Sequence, residues 1–234
     1  SYIDAYYEIN PQLNLLSSFW YGGYGHNQEN DLDYIMDDLI NDEYYYTSWQ
    51  NTANSDTEFE WTTDLVKKFL DNEDRELRFA FQLGGHFHDD LSEALQLGYE
   101  DFDIKNTNLG TGNTHTFQMD YVHPFSKNLK IEMGSKYVDR MIAADYETTD
   151  ADQDTIFSNL TDVFNYQQTV FATYISSNLQ LPRDFSLVFG ARYEGTEISG
   201  DYEIKDDILE KNVYHNVLPS FVISKKIGFS KTLK

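Results

Sequence analysis

The chain has 234 residues with 17 basic against 40 acidic side chains, a formal charge of -23, and no cysteine. That balance excludes nucleic acid as a partner, since phosphate needs cations, and excludes a polybasic membrane-surface helix. Without cysteine there is neither a disulfide framework nor a thiolate metal site. Aromatic residues make up 16%, with 18 Tyr and 16 Phe. No apolar run approaches the roughly 18–20 residues of a transmembrane helix. A transmembrane β-barrel remains open, because its strands alternate and leave only a weak hydropathy signal.

In chain order, Ser1 to Ile9 is a Tyr-rich strand ended by Asn10-Pro11-Gln12. Leu13, Leu15, Ser17, Phe19 and Tyr21 then alternate against Asn14, Leu16, Ser18 and Trp20, up to Gly22-Gly23. A polar segment from His26 to about Tyr46 reads as a loop. Inside it Leu32, Ile35, Met36 and Leu39 have helical spacing after Asn30-Asp31, which predicts a short amphipathic helix. Alternation returns at Phe59, Trp61, Thr63, Leu65, Lys67 and Phe69, and Asp71 to Asp74 reads as a turn. Leu77, Phe79, Phe81, Leu83, Gly85 and Phe87 share one face of the next strand, opposite Arg78, Ala80, Gln82, Gly84, His86 and His88.

Residues 89–115 are mixed and lead into Phe117, Met119, Tyr121, His123 and Phe125 on one face. After Ser126-Lys127-Asn128, Leu129, Ile131, Met133, Ser135 and Tyr137 oppose Lys130, Glu132, Gly134 and Lys136. An acidic loop follows from Asp145 to Asp162. Phe164 to Gln180 is a strand whose faces are blurred, with Val170 and Tyr174 competing against Phe171, Ile175 and Leu179. A turn at Leu181-Pro182-Arg183-Asp184 precedes a clear strand, with Phe185, Leu187, Phe189, Ala191 and Tyr193 on its apolar face. A further strand runs from Val213 to Ser224, and the last turn lies near Lys226 to Phe229.

Short turns near positions 11, 72, 127, 183 and 227 alternate with longer polar connections near positions 35, 100, 153 and 206. All short turns therefore lie at one end of the sheet. The predicted fold is all-β: an antiparallel up-and-down transmembrane barrel segment of about ten strands, with short turns at one end and long loops at the other. Pattern alone leaves open whether the apolar face meets lipid or a protein core. Tyr6, Tyr7, Phe69, Phe125, Phe185 and Phe229 at the short-turn end suit an interfacial girdle.

The wording of Asp64-Leu-Val-Lys-Lys-Phe69, Thr116-Phe-Gln-Met-Asp-Tyr-Val-His-Pro-Phe125, Leu187-Val-Phe-Gly-Ala-Arg-Tyr-Glu194 and His215-Asn-Val-Leu-Pro-Ser-Phe-Val-Ile-Ser-Lys225 carries a resemblance. From about residue 57 onward the chain resembles the outer-membrane β-barrels of TonB-dependent receptors of Bacteroidetes type. The resemblance implies the bacterial outer membrane and a large barrel of about 22 strands with a plugged lumen. It also implies a periplasmic energy-coupling protein that pulls on the plug while a nutrient is imported. Residues 1–234 are then a single β-barrel region with no plug, part of a larger barrel, since an open sheet leaves two unpaired edges in lipid. The partners implied are outer-membrane lipid, the plug, the remaining strands, the coupling protein and a small-molecule, peptide or glycan substrate.

Four residues are candidate ligand contacts. Tyr45 and Trp49 belong to the cluster Tyr44-Tyr-Tyr-Thr-Ser-Trp49, an aromatic platform suited to sugars or peptides. His86 and His88 share the polar face beside Asp89 and Asp90, a set that invites comparison with metal ligands but reads first as polar lumen side chains. Asp150, Asp152 and Asp154 imitate the start of a calcium loop, yet Thr155 and Thr161 replace its Gly and Glu. No metal, cofactor or enzymatic activity is expected, because no nucleophile elbow, P-loop, dinucleotide fingerprint or His-Glu-x-x-His pair occurs. The alternatives are a soluble all-β glycan- or peptide-binding module, or a non-transporting structural outer-membrane barrel.

Overall fold

A computed structural model describes residues 1–38, 42–98, 101–150, 155–156, 161–203, 208–227 and 231–233. The main strands are β1 (Tyr2–Asn10), β2 (Leu13–Asp38), β3 (Asp42–Phe69), β4 (Asn72–Leu97), β5 (Phe102–Ser126) and β6 (Leu129–Asp150). They continue with β8 (Asp162–Leu181), β9 (Phe185–Tyr202) and β10 (Ile208–Ile227), while β7 (Thr155–Ile156) and β11 (Lys231–Leu233) are short. Each main strand pairs antiparallel with its neighbour in sequence, giving one up-and-down sheet whose path begins at β1 and ends at β11. Among the described residues β1 and β11 do not meet, so the sheet is open.

Period-two patterning becomes continuous rows across the sheet, because directly paired residues share a face. One row runs Tyr7, Leu15, Leu65, Phe79, Met119, Ser135, Thr173, Tyr193, Val217. The next row on the opposite face runs Tyr6, Leu16, Asp64, Ala80, Gln118, Lys136, Ala172, Glu194, Asn216. On β8 the register resolves the blurred faces. Phe171, Ile175 and Leu179 join the apolar side, while Val170 and Tyr174 join the polar side.

The apolar face is uncovered. Phe117 is 51% exposed, Ile175 52% and Phe221 68%, and Ala172 is the one buried hydrophobic residue among those described. A soluble sheet of this size would bury that face against a second layer. Lipid is the covering that needs no such layer, and the geometry matches it. The outward apolar stretches are Leu13–Tyr21, Phe117–Phe125, Leu129–Tyr137 and Phe185–Tyr193, each nine residues with five outward positions.

The edges of this apolar band run obliquely to the hydrogen-bonded rows. The row through Leu13 on β2 arrives at Ala191 on β9, six residues from Phe185. The row through Tyr21 arrives at Ser199, six residues from Tyr193. Six strand-to-strand steps separate β2 from β9, so both edges shift by one residue per strand. With about 3.4 Å per residue and about 4.8 Å per strand, the tilt is about 35°. That lies in the range of transmembrane barrels, and nine residues so tilted rise about 22 Å, close to their apolar band.

Three expectations are corrected. Leu32, Ile35 and Met36 do not form a helix but pair as strand with Ser48, Tyr45 and Tyr44, and Leu39 lies outside the described residues. Extending an existing ladder adds one paired residue at a time, whereas a short helix must first be nucleated. The Tyr34–Tyr46 stack, with centroids 4.7 Å apart, strengthens that ladder. Likewise the polar residues 26–38, 42–46, 89–97 and 102–115 are paired strand rather than loop. The turn expected at Asp71–Asp74 falls at Leu70-Asp71, with β4 already begun at Asn72.

Candidate functional site

The polar face is the inner one, and it is held by short cross-strand contacts. Arg78 on β4 contacts Asp64 on β3 at 2.8 Å. Asp120 on β5 accepts from Gln118 at 2.6 Å and from the Tyr174 hydroxyl of β8 at 2.8 Å. That last bond spans β6, where Gly134 leaves the space: a Cβ there would sit 2.6 Å from the Tyr174 ring. Arg192 and Glu194, two residues apart on the inner face of β9, pair with each other at 2.7 Å.

Higher on this face, above the apolar band, His88 of β4 lies between two carboxylates. Its Nδ1 is 2.7 Å from Asp56 on β3 and its Nε2 is 2.6 Å from Asp90. Two carboxylate acceptors require both ring nitrogens to donate, which favours the imidazolium. The bond to Asp56, then that to Asp90, pushes the His88 pKa up. The same bond to His88 holds Asp56 low, and Asp56 in turn pushes the Tyr24 hydroxyl up. His88 is thus a clamp between β3 and β4, with no ring nitrogen left to bind a metal. Among the described residues no group of three or more potential ligands converges on a metal position.

Just below the clamp the inner wall has a depression lined by Trp20, Glu58, Glu60, Gly84, His86 and Arg140. Its floor is backbone: Gly112 lies beneath the His86 ring, where a Cβ would fall 2.5 Å from Nδ1. Glu60, Gly84, Thr114 and Arg140 are consecutive partners in one row, so acid and base face each other across three strand spacings, about 14 Å. Glu60 accepts from Gln82 at 2.6 Å, while Glu58 and Arg140 make no ion pair among the described residues.

The four sequence candidates therefore divide. His86 and His88 are on the inner face, His86 at the depression and His88 in the clamp. Tyr45 and Trp49 pair opposite Ile35 and Asp31 in rows of the outer face, and Trp49 donates to Glu29 at 2.8 Å. Arg140 and Glu58 were missed by sequence reasoning. The register that faces them across glycines is non-local, and no local motif signals it. Of the calcium-like acids, Asp152 and Asp154 lie outside the described residues.

Charge follows the same geometry. The segments beyond the band (residues 22–58, 86–112, 142–166 and 195–213) hold 27 of the 40 acidic residues and 3 of the 17 basic ones. The remainder has 13 acids and 14 bases. The whole net charge thus sits on the long hairpins at one end.

A single-layer, tilted, up-and-down sheet with an apolar outside and polar inside defines a transmembrane β-barrel wall. Residues 67–234 match the outer membrane protein beta-barrel family, and the chain belongs to it. Its place is accordingly the bacterial outer membrane, which removes the soluble-module alternative. Among solved structures, the ferric citrate transporter FecA in its unliganded form is similar with a TM-score of 0.56 and 9% identity. That match covers 99% of this chain and 39% of FecA. The ferric yersiniabactin uptake receptor FyuA from Yersinia pestis gives a TM-score of 0.43 at 9% identity, covering 96% of this chain and 42% of that one. The chain thus spans about two fifths of the length of these structures. No curated protein matches it. The family match and the shared fold bear out, for the barrel, the resemblance read from the sequence.

Proposed function

We propose that this chain is part of the barrel wall of a TonB-dependent receptor-type transporter, importing a nutrient through a plugged lumen, and acts as no enzyme. The observation that carries the reading is the open sheet with a polar inner face. Two unpaired edges in lipid are untenable, so further strands close the barrel. A lumen wall that leaves Glu58 and Arg140 without an ion pair among the described residues, beside His86 and a glycine floor, suits contact with a polar ligand or plug. On this reading residues 1–234 are one barrel region, a plug fills the lumen, and a periplasmic protein supplies the energy. His86 is the best placed of the four ligand-contact candidates; His88 supports the wall, and Tyr45 and Trp49 belong to the outer hairpins.

The test compares a strain lacking the gene with its parent on a panel of sole nutrient sources, with and without a protonophore. The expected result is a growth or uptake defect on one nutrient class, reproduced in the parent by the protonophore. A normal outer-membrane level of the protein with no uptake phenotype on any source would point to a structural barrel and sink the transporter reading.

A further inference from the structure

At the lower edge of the apolar band, on the lipid side of β3 to β5, several cations and aromatics converge. The Arg75 guanidinium lies 4.2 Å from the centre of the Phe69 ring, and the Lys67 ammonium 5.2 Å from the same ring. Arg75 is fixed by Asp71 at 3.0 Å and donates from Nε to the Tyr121 hydroxyl at 2.8 Å. Because arginine only donates, the tyrosine oxygen is the acceptor there, and the same hydroxyl is hydrogen-bonded with His123 Nδ1 at 2.9 Å. Nε2 of His123 is left outside that pair. Lys67 and the free edge of Arg75 are donors, the His123 ring lies beside them, and Asp71 is the one carboxylate in contact among the described residues.

This arrangement recurs along the rim. Lys225, directly paired with Phe185 at the bottom of β9, sits 4.8 Å from that ring's centre. Outward cations are absent from the rest of the band among the described residues, while the long-hairpin segments at the opposite end hold 27 of the 40 acidic residues. An ammonium beside an interfacial aromatic sits at headgroup level. An ammonium and a guanidinium edge of this kind match the oxygens of a phosphodiester.

We propose that Lys67, Arg75 and His123 form a binding site for the phosphate of an anionic phospholipid in the leaflet at the short-turn end, with Lys225 a second contact on the same rim. The lipid's acyl chains lie along Leu65, Phe79 and Met119, and its phosphate sits at the Phe69 level. The site selects lipids by charge on one side of the membrane only. It thereby fixes the depth of the barrel.

The experiment uses the full-length protein in phosphatidylcholine vesicles with spin-labelled phosphatidylglycerol or spin-labelled phosphatidylcholine. The ratio of their association constants at the protein surface is read from the motionally restricted component. The wild type should prefer phosphatidylglycerol about three- to five-fold, the effect of roughly one cation at a membrane surface. Lys67→Gln should bring the ratio toward unity and Lys67→Arg should restore it. Lys225→Gln should lower it independently, and Lys105→Gln on an outer hairpin should leave it unchanged. A wild-type ratio of one, or equal losses in Lys67→Gln and Lys105→Gln, would overturn the site. So would displacement of the lipid by inorganic phosphate beyond that caused by chloride at equal ionic strength, which would mark a small-anion site instead.

Discussion

Phe79 is the central outward residue of β4, four positions above Arg75 at the lower edge and four below Leu83 at the upper. It is 46% exposed in the bare sheet and in the membrane meets hydrocarbon at mid-depth. Replacing it with Lys places a charge there at about 2–4 kcal/mol, and removes a buried phenylalanine worth about 1.5–3 kcal/mol. The expected loss is therefore about 4–7 kcal/mol. Leu83→Lys, at the interface, forfeits a similar apolar term but only about 0–1 kcal/mol for its charge. Ala80→Lys, one residue away on the inner face and paired opposite Asp64, should change stability by less than about 1 kcal/mol. The assay is reversible urea unfolding of the full-length protein in lipid vesicles, followed by heat-modifiable migration and tryptophan fluorescence. If Ala80→Lys costs as much as Phe79→Lys, or Leu83→Lys costs more, the assignment of faces or of the band is wrong.

Two further outcomes rest on the geometry. Strand tilt near 35° should appear as infrared linear dichroism of the amide I band in oriented bilayers, and a tilt below about 20° would contradict the one-residue-per-strand shift. For the clamp, His88 has a raised pKa, so its contribution is complete below the ordinary histidine value and fades as pH rises through the raised one. Asp56 is held low, so its contribution is complete above the ordinary carboxylate range and fades only as pH falls through the lowered value. Amide protection of β3 and β4 around Asp56 and His88 should thus be greatest in mildly acidic solution and decline toward alkaline pH. His88→Gln should flatten that decline, and an unchanged slope would remove His88 as its cause.

Much of the fold was legible because period two is a local property. The face assignments around Phe79, Phe117 and Phe189 survive intact in the register. The failure at Leu32, Ile35 and Met36 has a physical cause. Four apolar residues at helical spacing satisfy a local rule, while the strand that holds Leu32, Ile35 and Met36 is set by pairing with Ser48 to Tyr44 across the hairpin. The blurred strand from Phe164 shows the same limit. Val170 and Phe171 are adjacent and both apolar, and only pairing opposite Val138 and Tyr137 decides which one faces lipid. Of the candidate site, both histidines were placed on the correct face. Their unequal roles depend on Asp56, thirty-two residues before His88, and on Arg140, fifty-four after His86.

By itself the sequence determined the membrane-level strands, most of their polar and apolar sides, the short-turn end and the acidic excess of the chain, since each is written in residue order. Only the tertiary structure decided the tilt of the band, the His88 clamp, the glycine-floored depression and the cation-aromatic rim. These arise from register, which sums hydrogen bonds and side-chain contacts over strands far apart in the chain. A shift of one residue in any pairing would turn that strand's side chains to the wrong face. The membrane enforces the choice, because a face turned wrongly would put Asp64, Arg78 and Asp120 into hydrocarbon.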